Sequence, residues 1–92
     1  MSAPQPYRST PLFDQDSLPM ALRNHHSTKA GVWGLIRVRH GQVRLTYLDP
    51  FAETILDADH PGIVLPQQVH FVTPLGDMAM QVDFYDQPPP GG

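Results

Sequence analysis

The residues best suited to chemistry fall in two blocks. The first, LRNHHSTKAGVWG at residues 22–34, gathers the adjacent histidines His25 and His26, the lone lysine Lys29 and the lone tryptophan Trp33. The second, VHFVTPLGDMAMQVDFY at residues 69–85, carries His70, Asp83 and Tyr85. If Gly76-Asp77 is a two-residue turn, with glycine supplying the positive φ of its first position, Leu75 faces Met78, Thr73 faces Met80 and His70 lies opposite Asp83. A carboxylate beside an imidazole either completes a metal site or fixes the histidine's tautomer. The chain has no cysteine, so a metal must be held by histidine, carboxylate or water.

These residues must be positioned by strands. From Val32 the apolar period is two: Val32, Gly34, Ile36 and Val38 share a face, and Val43, Leu45 and Tyr47 continue it beyond His40-Gly41. Read as a hairpin, this stretch pairs Val38 with Val43, Ile36 with Leu45 and Gly34 with Tyr47. Its second face carries Trp33 and Leu35 and needs a cover, for which a second subunit is the candidate. ETIL, GIVLP, VHFVTP and MAMQVDFY are expected as further short strands, with DADHPG a turn. SLPMALRN fits one helical turn with Ser17 as its cap.

Composition agrees with that plan. Eleven Pro and seven Gly among 92 residues disfavour long helices, and 40% hydrophobic residues suffice for one small core. The expected class is all-β, a sandwich or jelly-roll barrel. Residues 1–8 and the Pro/Gly-rich residues 87–92 are expected as tails around a single domain at 9–86. Six basic against nine acidic residues, scattered along the chain, give a net charge of −3 and no basic stripe for nucleic acid or anionic membrane. Without an apolar leader or membrane-length segment, the expected location is cytoplasmic.

The pattern TPLFD…LPMALRNHHSTKAGVWGLIRVRHGQVRLTYLD…PGIVLPQQVHFVTPL…DFY resembles the small cupin family related to the N-terminal domain of bacterial tellurite-resistance protein B. In some members that domain precedes a methyltransferase. The resemblance covers roughly residues 10 to 85 and implies a cupin-type jelly-roll barrel of two antiparallel sheets, often with a divalent metal at its mouth. It puts His26 on the family histidine before Thr-Lys, and His70 on that of the second block. Against the general cupin pattern, Gly34 stands where many metal-binding members carry glutamate, and the paired first-motif histidines separated by one residue are missing. A full three-histidine, one-glutamate site is not encoded.

The expected site is His26, His70 and Asp83 around a divalent ion such as zinc, with Lys29 and Tyr85 in a ligand pocket. Three functions follow: a metal-binding domain that senses or sequesters a small molecule or oxyanion in a stress response, a small metal-dependent enzyme, or a dimerisation or partner-binding module with a vestigial pocket. The competing structural readings are polar pocket lining for His26 and His70, solvation for His25, His40, His60 and Lys29, a satisfied strand-edge carboxylate for Asp83, packing for Trp33, and core filling for Met78 and Met80. The sequence contains no nucleophile elbow, phosphate-binding glycine loop or HExxH.

Overall fold

The structure is a computed structural model that describes residues 4–90. Eight strands and one helical turn follow in order: β1 (Arg8–Ser9), β2 (Phe13–Asp14), α1 (Met20–Arg23), β3 (Trp33–His40), β4 (Val43–Leu48), β5 (Phe51–Leu56), β6 (Gly62–Val64), β7 (His70–Pro74) and β8 (Ala79–Tyr85). They form two antiparallel sheets. In the first, the order is β1-β8-β3-β6, with β2 also paired to β8; in the second it is β5-β4-β7. The fold is all-β as expected, and its ladders do not close the sheets into a barrel among the described residues.

Strand alternation sets the inner face of each sheet. Ile36 and Val38 of β3, and Met80 and Val82 of β8, meet Val43 and Leu45 of β4 and Val72 of β7 in one core. Leu18 and Met78 close its margins at 4% and 1% exposure. The expected helical turn is present, but Pro19 occupies its N-cap position. Ser17 instead accepts a hydrogen bond from the Asp14 amide at 2.8 Å, while the Ser17 amide donates to Asp14 Oδ1 at 2.8 Å.

Both hairpins expected from the sequence are corrected. β3 pairs with β6 and β8, whereas β4 pairs with β5 and β7, so Val38 does not face Val43 within one sheet. Likewise β7 and β8 lie in different sheets, and His70 is not the neighbour of Asp83. Alternation specifies which face of a strand is apolar and leaves the partner strand undetermined. Two consecutive strands with apolar faces bury them by facing one another across a sandwich, where a flat hairpin would leave both uncovered.

Each of these connections therefore carries the chain from one sheet to the other, and the two cross at the same place. Gly41 has φ +74°, and a Cβ built on it would clash with the Asp77 carbonyl oxygen and stand 2.9 Å from Met78 Cα. The Leu75 amide donates to the Gln42 carbonyl at 3.1 Å, tying the crossings together.

The sheet ends differ from the expected tails. Arg8 belongs to β1 opposite Phe84, and the Tyr7 amide donates to the Phe84 carbonyl at 2.9 Å. At the other end Pro89 is buried, and Pro90 borders the same hollow as Leu35 and Ile63. On the outer side of the first sheet Leu35 and Tyr85 are buried. No helix among the described residues is long and apolar enough to cross a membrane.

The crossing yields a direct test. Gly41→Ala should destabilise the fold by about 2 kcal/mol or more, since the methyl group meets fixed backbone and φ is left-handed. Gly31→Ala, at φ +76° with open space around its Cβ position, should cost only about 1 kcal/mol. Urea denaturation of the two variants measures the difference.

Candidate functional site

The two expected site histidines come together. The His26 amide donates to the His70 carbonyl at 2.9 Å, and the His70 amide returns a bond to the His26 carbonyl at 2.8 Å. This one-residue bridge extends the second sheet beyond β7 and ties the loop after α1 to that strand. It brings the two rings into an edge-to-face contact, with centroids 5.6 Å apart and planes at 70°.

His70 is only 3% exposed, and its Nδ1 lies 2.9 Å from the Gln68 carbonyl oxygen. A carbonyl only accepts, so Nδ1 carries the proton and the neutral ring keeps its lone pair on Nε2. Burial pushes the His70 pKa below its ordinary 6.5; the Gln68 bond opposes that shift, and the neighbouring His26 adds to it. The Gln68 carbonyl is presented by a turn in which Gln67 adopts a left-handed φ of 62°. The Gln67 amide is anchored on the Thr28 carbonyl at 3.2 Å and on Thr28 Oγ1 at 3.3 Å.

Two neighbouring spaces adjoin this pair. An internal hollow of about 20 Å³ has His26, Thr28 and His70 as its polar lining, with apolar side chains including Ile36, Val72 and Phe84 around the rest. A recess of about 310 Å³ opens to the surface between Tyr7, Arg8, Lys29 and Phe84. His26, Thr28 and Phe84 border both spaces. The Arg8 guanidinium lies 6.0 Å from the centre of the Phe84 ring. The recess is lined by two permanent cations and no carboxylate.

Other expected site residues lie elsewhere. Lys29 lines the recess, but Asp83 does not reach the histidines, because β8 turns Met80 and Val82 inward and Asp83 outward. Asp83 is 3% exposed, accepts a hydrogen bond from Ser9 Oγ at 2.7 Å and pairs with Arg37 Nε at 2.8 Å. Tyr85 is buried on that outward side, and its neighbour Phe84 lines the recess instead. Among the described residues there is no cluster of three histidines or carboxylates that would hold a metal ion. His25 is exposed and stacks on Phe71, with centroids 5.8 Å apart. His60 hydrogen-bonds Asp57 at 2.8 Å in an exposed turn, which raises the histidine's pKa and lowers the carboxylate's.

Sequence reasoning missed Arg8, Thr28, Gln67 and Phe84. Arg8 lies within an expected tail, and Phe84 within an expected strand with no role in the site. The QQ pair between Pro66 and the β7 strand was the available signal for an unusual turn.

Comparison with known proteins identifies relatives of the chain. A profile for the TehB-like domain matches residues 8–82. Over 76 residues the chain is 34% identical to the probable S-adenosyl-L-methionine-dependent methyltransferase TehB of Haemophilus influenzae, covering 77% of this chain and 27% of that protein. The crystal structure of TehB from Haemophilus influenzae superposes with a TM-score of 0.81 at 29% identity, covering 90% of this chain and 31% of the other. A crystal structure of an Escherichia coli K12 protein superposes with a TM-score of 0.83 at 21% identity, covering 96% and 95% of the two chains, and shares the fold. The chain thus spans less than a third of the length of the TehB relatives it matches.

Two tests follow from these environments. Because the folded pKa of His70 lies below 6.5, the unfolded chain holds the extra proton between those two values. This histidine should therefore make stability fall as pH drops through 6.5, and contribute no slope above it. An NMR titration should give a His70 midpoint below 6.5. On the opposite face, Arg37→Met should cost about 1–3 kcal/mol in urea denaturation, since it leaves the buried Asp83 carboxylate without its cation.

Proposed function

The chain belongs to the TehB-like domain family, and from that premise we propose that it is a binding module for a small anion, held in the recess between Arg8 and Lys29. The carrying observation is the composition of that recess: two permanent cations and an imidazole, with no carboxylate to oppose a negative ligand. Small oxyanions suit its size and charge, and the resemblance to a tellurite-resistance domain supports an oxyanion encountered under stress. A cupin-type jelly roll is the proposed description of the sandwich, supported by the two sheet-to-sheet crossings at Gly41 and Asp77.

Binding is favoured over turnover by the side chains present. His26 and His70 offer two nitrogen donors, fewer than the three protein ligands of a catalytic zinc centre, so the described residues do not complete a resident metal site. S-adenosyl-L-methionine does not fit either. Its sulfonium would meet Arg8 and Lys29, and the recess offers no acidic side chain for a ribose. The methyltransferase named for the relative is assigned to a protein more than three times as long as the matched region, and this reading does not carry it over.

Isothermal titration with a panel of inorganic oxyanions tests the proposal. Lys29→Ala and Arg8→Ala should each weaken binding by about tenfold, with an unchanged far-ultraviolet spectrum. Unaltered affinity in both variants would remove the recess from consideration.

A further inference from the structure

Two of the three polar side chains lining the hollow, His70 and Thr28, share one property. His70 Nδ1 donates its proton to the Gln68 carbonyl, and Nε2 of the neutral ring has no protein partner. Thr28 Oγ1 donates its hydroxyl proton to the Val32 carbonyl at 2.7 Å and accepts from the Gln67 amide. Both groups are therefore left with lone pairs only. His70 is 3% exposed as a residue, and an anionic oxygen placed against Nε2 would meet a lone pair there. At about 20 Å³, the hollow accepts one oxygen-sized group. The recess beside it is cationic, and His26, Thr28 and Phe84 line both.

We infer that the module selects its anion by protonation state: the ligand is a weak-acid oxyanion that keeps one O–H, which points inward and donates to His70 Nε2, while its charged oxygens remain outside between Arg8 and Lys29. This rests on the anion-binding reading of the recess and adds to it a rule of discrimination. Hydrogen phosphate species satisfy the rule. Sulfate, with nearly the same size and shape, has no proton to give and leaves Nε2 facing an oxygen lone pair. A site built around a hydrogen bond rejects an analogue that lacks it far better than a site built on shape alone.

The test uses phosphate and sulfate as probes at equal ionic strength, slightly below neutral pH, on the full chain after chelator treatment, so that no scavenged cation occupies Nε2. Phosphate should bind at least about tenfold more tightly than sulfate. His70→Phe, which keeps a ring in the hollow and removes the acceptor, should bring the two affinities together. Because that variant also strips Gln68 of its partner, nitrogen NMR of the unmutated protein provides a second measurement. The His70 Nε2 resonance should lie in the range of an unprotonated imidazole nitrogen and should move on addition of phosphate, with no movement on addition of sulfate. Equal binding of both anions, or a stationary Nε2 resonance with phosphate bound, would overturn the selection rule and leave the anion site standing. Failure of both anions to bind would overturn the rule and the anion-binding reading together.

Discussion

The fold depends on a close approach between two pieces of backbone. Where β3 leaves the first sheet for the second, and where β7 leaves the second for the first, the chain passes over itself with no room for a side chain at Gly41. That contact lets each pair of sequence neighbours occupy opposite layers, so that their apolar faces meet across the core. A thin sandwich of this length has few buried residues to spare, and Val43, Leu45, Met80 and Val72 are almost fully withdrawn from water because the layers are locked in this register.

The same sandwich opens at one end, and there the polar groups have been assigned definite roles. Gln67 takes a left-handed conformation that a β-strand lead-in does not require, and the consequence is a carbonyl aimed at a buried imidazole. The His26–His70 bridge then closes the loop over the hollow from the other side. Arg8 and Lys29 come from an N-terminal strand and a loop far apart in the chain, and the pairing of β1 with β8 brings Arg8 onto Phe84 at the same mouth. Asp83, one residue away from Phe84, faces the opposite side and is consumed by Arg37 and Ser9. One strand thus serves a ligand face and a structural ion pair through simple alternation.

The chain belongs to the TehB-like domain family, and an Escherichia coli protein of nearly the same extent shares its fold. In the Haemophilus influenzae relative the matched region is a minor part of a longer chain. Fold is the property that such a relation transmits most securely, and chemistry has to be argued from the side chains at the site.

Much of the local structure was legible in the sequence. Period-two alternation marked Ile36, Val38, Val43, Leu45, Met80 and Val82 as inward-facing, and proline and glycine marked the turns, because side-chain direction along a strand is a local property. The family resemblance put His26 and His70 in the site and Lys29 stood out by its type and setting, and the structure gathers all three around the two neighbouring spaces. Strand partnership was not legible. A hairpin and a sheet-to-sheet crossing present the same alternation and the same glycine, and only the burial of both faces in three dimensions chooses between them. That choice moved Asp83 away from His70, brought Arg8 out of an apparent tail and made Phe84 part of the recess, since each depends on contacts between residues more than fifty positions apart or on the opposite side of one strand.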